Sequence, residues 1–383
     1  MDTKETRLGD CVLCNPTVKL TKGKVYPIID IDKITVGKKF VTNRDTIIYD
    51  GQGGAKFESG DTLMARITPC LENGKMAKAQ IEGQGLGSTE LFVFRGKEGV
   101  TDDDYVYYLL KQQYIRNLAA NSMTGASGRQ RADLKFIKKI KLNLPLLDDQ
   151  RRIASILSVY DNLIENNNRR IRLLEQMAEN LYKEWFVRFR FPGHEKAEFE
   201  NGLPKGWKVD KYLNVAKISA GGDRPNVFSQ IPTEDCTIPI YSNGIVDDGL
   251  YGYTNQPKIK KPCITISARG TVGFVCMRRT PFVPIVRLLS VVPNDNLNVY
   301  YLYHSSIYND LEGNGTSQQQ LTVPMLNKRK ILIPSIDILE LFRKSVEPLY
   351  NQIDIIKEQS SLLSRQRDLL LPRLMSGKLE VKV

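Results

Sequence analysis

The stretch from Gln150 to Phe186 reads QRRIASILSVYDNLIENNNRRIRLLEQMAENLYKEWF. It holds no proline and no glycine, so nothing inside it breaks a helix. Its apolar positions advance by four and three: Ile153, Leu157, Tyr160, Ile164, Ile171, Leu174, Ala178, Leu181 and Trp185, with polar Asn167 among them. A stripe this narrow marks one face of a long helix that needs a partner helix. The chain supplies one. From Leu339 to Met375 the same steps return as Phe342, Val346, Leu349, Ile353, Ile356, Ser360, Leu363, Arg367, Leu370 and Leu374. Each lies at the first helix's number plus 189 (342 − 153 = 189; 374 − 185 = 189). The pairing residues expected are Ile153, Leu157, Ile164, Leu174 and Leu181 on one helix and Phe342, Val346, Ile353, Leu363 and Leu370 on the other. The interruptions at Asn167, Ser360 and Arg367 serve to set register.

A chain of 383 residues accommodates two ordinary domains and connectors. A hydrophobic fraction of 41% and a charged fraction of 26% are those of a globular protein with real cores. No run is long and apolar enough to span a bilayer, and MDTKETRLGD lacks the apolar stretch of a signal peptide, so a cytoplasmic protein is expected. The net charge of +12 favours a polyanionic partner without identifying it.

The segment 1–148 reads as a first, mixed domain. Short apolar runs at 25–31, 46–49, 62–67 and 91–94 are spaced by glycine-rich turns, and 104–121 has helical character. The first long helix follows at 149–190. Pro192-Gly193 and Gly202-Leu-Pro204 mark a connector, and 197–335 repeats the plan: Val299-Tyr-Tyr-Leu302 echoes Val106-Tyr-Tyr-Leu109. The second helix and a tail fill 336–383. The fold class expected is α+β: two mixed, β-rich domains separated by two long helices that form an antiparallel coiled coil, an internal duplication with pseudo-twofold symmetry.

Two pairs of loops carry the candidate chemistry. Gly60-Asp-Thr-Leu-Met-Ala-Arg66 and Pro262-Cys-Ile-Thr-Ile-Ser-Ala-Arg269 each run a strand out to an arginine beside a glycine-containing loop, with Lys75 and Thr271 in those loops. Arginine there can reach a phosphate or the two acceptors of a guanine edge. The second pair is Ser127, Arg129, Gln130 and Arg131 against Ser317, Gln318 and Gln319, whose groups bond base edges or phosphates. Asn243 adds an amide beside a glycine hinge, and Lys258, Lys260 and Lys261 add charge suited to phosphates.

Catalytic patterns fail together. Cys11 and Cys14 form a lone C-x-x-C without a second pair, and the chain has only two histidines. Asn15-Pro16-Thr17-Val18 lacks the second proline and aromatic of an amino-methyltransferase motif. Neither Gly83-Gln-Gly-Leu-Gly87 nor Gly377-Lys378 has the context of a phosphate-binding loop. No catalytic, cofactor-binding or metal-binding residue is assigned.

Leu144-Pro-Leu-Leu-Asp-Asp-Gln150, leading into I-x-x-I-L-x-x-x-D-x-x-I from Ile153 to Ile164, resembles the specificity subunit of Type I restriction–modification systems. Gly60-Asp-x-Leu-x-x-Arg66 and Leu203-Pro-x-Gly-Trp207 resemble that family's target-recognition domains. The second helix entry, Pro334-Ser-Ile-Asp-Ile-Leu339, lacks the acidic–glutamine pair. The resemblance implies a non-catalytic subunit in which each domain reads one part of a split double-stranded DNA target. It also implies two modification subunits docked on the helices, restriction subunits in the larger complex, and S-adenosylmethionine, ATP and Mg on those partners rather than on this chain. The alternatives are a DNA-modifying enzyme with a coiled-coil spacer, and an interaction scaffold whose basic charge is incidental.

The helix from Gln150 to Phe186 has 37 residues (186 − 150 + 1 = 37), about 55 Å at roughly 1.5 Å per residue. As a ruler it holds two readers about one DNA turn, about 34 Å, apart. Inserting four residues in register into both helices lengthens it by about 6 Å. A binding selection over variable gaps should then prefer a gap longer by one or two base pairs, with the half-site sequences unchanged.

Overall fold

The computed structural model describes residues 2–42, 45–126, 129–309 and 320–379. The chain divides into two compact units, Met1–Arg170 with Ile355–Val383, and Ile171–Asp354.

In the first unit the strands are β1 (Thr3–Arg7), β2 (Val12–Cys14), β3 (Val25–Ile29), β4 (Phe40–Val41), β5 (Thr46–Ile48), β6 (Ala55–Glu58), β7 (Thr62–Ala65), β8 (Met76–Ala79), β9 (Gln84–Gly87), β10 (Leu91–Gly96) and β11 (Lys141–Pro145). They form a five-stranded sheet in the order β2-β10-β7-β8-β4, a four-stranded sheet β5-β3-β9-β6 and a ribbon β1-β11. The facing sides enclose Ile29, Phe57, Leu63 and Val93. Helices α1 (Leu8–Cys11), α2 (Asp103–Lys111), α3 (Gln113–Asn121) and α4 (Leu134–Lys138) accompany them. The sequence suggests one helix over 104–121. The chain instead breaks at Gln112, whose ψ of 134° is extended, so two helices form.

In the second unit β12 (Phe199–Glu200) and β13 (Leu203–Pro204) form a hairpin, followed by β14 (Lys208–Lys211), β15 (Ala216–Ala220), β16 (Ile238–Tyr241), β17 (Leu250–Thr254), β18 (Cys263–Ile266), β19 (Val275–Arg278), β20 (Val283–Pro284), β21 (Leu289–Pro293) and β22 (Lys330–Ile333). The order β15-β21-β18-β19 repeats β2-β10-β7-β8, and the ribbon β14-β22 repeats β1-β11. The duplication is therefore one of topology. Helices here are α6 (Tyr212–Val215), α7 (Val299–Tyr308) and α8 (Val323–Lys328).

The two long helices are α5 (Leu147–Tyr182) and α9 (Ile336–Met375). α5 begins two residues before the expected start at 149, with Asp148 and Asp149 in its first turn, where they complement the helix dipole. It ends in a π turn over Lys183–Val187 that puts Trp185 and Phe186 into the core. α9 runs through Pro348 and Pro372 without a break. Both helices contribute residues to each unit. In the first, Asp161 faces Arg367 and Asn167 faces Ser360 (Nδ2 to Oγ, 3.2 Å), so one number falls as the other rises and the helices run antiparallel.

Ile153 and Leu157 are buried with Leu371 and Leu374, and Leu370 packs beside them. In the second unit Phe342, Val346 and Ile353 are buried with Ala178, Tyr182 and Trp185, against which Leu174 and Leu181 pack. Ile164 and Leu363 are half-buried. Trp207 of the Leu-Pro-x-Gly-Trp motif closes this core, 5.8 Å from the Phe186 ring.

Each helix entry is tied to its domain by a carboxamide, but from opposite sides. The buried Gln150 donates to the carbonyls of Val100 (3.0 Å) and Pro145 (2.9 Å) and accepts from the Asp102 N–H (3.0 Å). Its counterpart by the 189-residue offset is Leu339. There the domain supplies the amide: Asn298 Nδ2 donates to the Leu339 carbonyl at 2.9 Å. The second copy's missing glutamine is thus replaced by an asparagine about forty residues upstream.

Asp161 and Arg367 have side chains only 2% and 3% exposed, and Tyr108 donates to the same carboxylate at 2.5 Å. Breaking one partner of a buried pair costs about 3–5 kcal/mol, whereas replacing both with packed apolar residues is close to neutral. Arg367→Met or Asp161→Leu alone should therefore lower the urea midpoint sharply, and the double variant should recover most of the loss.

Candidate nucleic-acid interface

β7 ends directly before Arg66, whereas β18 ends at Ile266, three residues before Arg269, and in each unit the segment after the strand is joined to the loop before a short helix. The Ala132 N–H donates to the Arg66 carbonyl at 2.8 Å, and the Leu321 N–H to the Ala268 carbonyl at 3.1 Å. Asp133 and Thr322 then cap α4 and α8. Arg131 and Gln320 occupy equivalent places, one residue before those N–H donors. The turns after the strands favour glycine through their left-handed backbone, with φ +75° at Gly74 and +73° at Gly270.

In the first unit Arg66 lines a cleft of about 410 Å³ with Asn15, Lys56 and Thr89. Its guanidinium lies 5.0 Å from the Phe92 ring centroid, and its buried Nε has no hydrogen-bond partner among the described residues. Arg129 is exposed and Gln130 half-buried on the adjoining loop, whose Gln130 carbonyl accepts from Thr68 N–H at 3.0 Å. Arg131 is already engaged: its Nε donates to both Glu90 carboxylate oxygens at 3.0 and 2.9 Å. The hydrogen bond from Arg131 holds the Glu90 carboxyl below the usual range. Lys75 lies beside this strand end, but its ammonium donates to the Ile31 carbonyl at 3.1 Å. Ser127 lies outside the described residues.

In the second unit Arg269 is exposed and donates to Gln320 Oε1 at 3.2 Å, with exposed Thr271 two residues on. Asn243 is close by, but both ends of its amide serve the backbone. Oδ1 accepts from Ala268 N–H at 2.8 Å, and Nδ2 donates to the Val286 carbonyl at 2.7 Å. Lys258 borders Gly222 at the same end. The lysines do not act as one group. Lys261 precedes β18 at the opposite end of that strand from Arg269 and pairs with Asp295 at 3.6 Å, while Lys260 is exposed between. Ser317, Gln318 and Gln319 lie outside the described residues.

Sequence reasoning missed Glu90 and Lys56 in the first unit and a strained turn in the second. Val286 and Arg287 both have positive φ, +51° and +61°, uncommon for any side chain and costly for valine. The turn is pinned by Val286 N–H to Gly222 carbonyl (2.8 Å) and Arg287 N–H to Gly221 carbonyl (3.1 Å). The Gly221-Gly222 doublet was the visible signal.

Among the described residues no group of three or more His, Cys, Asp and Glu is placed to hold a metal ion. Burial pushes the Cys11 and Cys14 thiols up to about 11, and each bonds a nearby carbonyl. No helix among the described residues is long and apolar enough to cross a membrane.

The family model described as "Type I restriction modification DNA specificity domain" matches residues 10–176 and again 204–365. The chain belongs to that family. The Type I restriction enzyme MjaIX specificity subunit of Methanocaldococcus jannaschii is 27% identical over 317 residues, 75% of this chain and 71% of its own length. The HindI specificity subunit of Haemophilus influenzae is 23% identical over 99% of this chain and 100% of its own. The crystal structure of a Type-I restriction-modification system S subunit from M. genitalium shares the fold, with a TM-score of 0.56 at 16% identity over 97% of this chain and 96% of that one.

The two ties of Asn243 make it a brace for the segments at Ala268 and Val286. Asn243→Ala should lower stability by about 1–3 kcal/mol through two orphaned backbone groups, read as a shifted urea midpoint. Lost DNA binding with an unchanged midpoint would make it a reader instead.

Proposed function

We propose that this chain is the sequence-specific DNA-binding subunit of a Type I restriction–modification complex, acting in the cytoplasm on a bipartite double-stranded target. Family membership supports DNA target recognition. The observation that carries the split reading is the duplication of the reading corner. Each unit joins the arginine-bearing segment after a strand to the loop before a capped short helix, Arg66 with 129–131 and Arg269 with Gln320. Two such corners on one basic chain suit two half-sites.

The chain itself carries no chemistry in this reading. Two modification subunits dock on the long helices, restriction subunits join the larger complex, and S-adenosylmethionine, ATP and Mg belong to those partners. Ile355, Leu362 and Leu369 recur every seven residues on α9 and are 53–57% exposed, an apolar stripe suited to such docking.

The test is a binding selection with randomised half-sites, using the complex with its modification partner. Arg66→Ala should relax one half-site and Arg269→Ala the other, each by about 1–3 kcal/mol for a base contact. Uniform loss over all sequences would mean phosphate contact, and a wild-type complex with no preference would leave the scaffold reading.

A further inference from the structure

In the second unit a cleft of about 260 Å³ opens beside α5, α7 and α9. Its walls are the rings of Tyr182, Tyr303, His304 and Tyr350, with the carboxylates of Glu175 and Glu179 and the ammonium of Lys183. Tyr182 lies nearly parallel to His304 with centroids 5.7 Å apart, and Tyr303 stands perpendicular to Tyr350 at 6.3 Å. His304 Nε2 is 2.9 Å from the Tyr350 hydroxyl, and burial pushes its imidazole down to about 4, so it is uncharged near neutral pH. A ring-walled space with two carboxylates against one ammonium suits a cation better than a polyanion.

The first unit shows what such a space holds. By the 189-residue offset of the long helices, Glu179 corresponds to Asp368, Tyr350 to Asp161 and Ala178 to Arg367. With α2 and α7 aligned on their N-caps, Asp102 and Asn298, Tyr303 corresponds to Tyr107, His304 to Tyr108 and Ile307 to Lys111. In the first unit Arg367 donates to Asp161 and, through Nε, to Asp368 at 2.9 Å. Lys111 Nζ lies 3.8 Å from Asp368 and 5.7 Å from the Tyr107 centroid. Asp368, Asp161, Tyr107 and Lys111 have their counterparts on the second unit's cleft as Glu179, Tyr350, Tyr303 and Ile307, while the arginine has become Ala178, which is buried in the core. One carboxylate and the facing ring persist where both cations have gone.

We propose that this cleft is a receptor for a guanidinium, an arginine side chain presented by a partner protein, placed against Glu179 and Tyr303, the counterparts of the Asp368 that Arg367 pairs with and the Tyr107 ring that Lys111 faces in the first unit. Glu179 takes the ion pair and Tyr303 and Tyr350 offer their faces. Lys183, which now donates to Glu179 at 2.5 Å, shares that carboxylate as Lys111 shares Asp368. Ile307 and Tyr308 on the rim are 47% and 49% exposed, an apolar border suited to a protein surface.

The full-length chain tests this with three probes: N-acetyl-arginine amide, its lysine analogue and spermidine, each titrated calorimetrically. Saturable millimolar binding of the blocked arginine is expected, weakened by roughly fivefold or more in Glu179→Gln, whose site is exposed and tolerant. Ile307→Lys, at a position on the cleft rim that is 47% exposed, should fold with an unchanged melting temperature and no longer bind the probe, because it restores the lysine of the first unit. No binding by the wild type, equal binding by Glu179→Gln, or undiminished binding by Ile307→Lys would each overturn the assignment. Tighter binding of spermidine than of arginine would overturn the protein partner.

Discussion

A narrow apolar seam on a long helix cannot remain in water, and the architecture follows from how this chain covers two of them. Ile153 and Leu157, and their counterparts Phe342 and Val346, are buried not only by the opposite helix but also by the core of the adjoining domain. The seam therefore fastens helix to helix and domain to helix with the same residues. Its polar members then become orientation devices. Asp161 finds Arg367 only in one antiparallel register, and Asn167 finds Ser360 in that same register.

The seam was legible because its period is written in residue type alone. The strand ends before Arg66 and Arg269 were legible for a similar reason, since a hydrophobic run stops and a glycine turn begins. What stayed hidden depends on contacts distant in sequence. Lys75 looks like a loop cation, yet the Ile31 carbonyl takes its ammonium. Asn243 looks like a reader, yet its amide is needed by Ala268 and Val286. The Val-Tyr-Tyr-Leu echo lines up 106 with 299, whereas the helix caps and the bonds of Tyr108 and His304 to the long helices set 106 against 302. A slip of three residues is nearly one helical turn, so the echo kept the correct face and lost the correct partners. The seam's steps run on past Pro348 and Pro372, and α9 is continuous there although proline lacks the N–H of a helix interior.

The two copies meet the same physical demands with different atoms. The tie at the helix entry is kept while its donor moves from Gln150 to Asn298. The polar contact between domain and seam is kept while Tyr108–Asp161 becomes His304–Tyr350. Divergence after duplication has preserved hydrogen-bond satisfaction more faithfully than residue identity, as expected when an orphaned buried group costs more than a substituted one.

The unit boundaries also order events during synthesis. Ile171–Asp354 is continuous, whereas Met1–Arg170 is grouped with Ile355–Val383, at the far end of the chain. The domain translated second can thus close first, while the one translated first waits for its last helix. Asp161 and Arg367 are 206 positions apart, an interval of about 10–40 s at roughly 5–20 residues per second. Throughout that interval Ile153 and Leu157 lack their covering residues from α9. The nascent chain therefore spends its time on the ribosome with an adhesive helix exposed, a state that chaperones recognise, and premature termination after residue 354 would leave it so permanently.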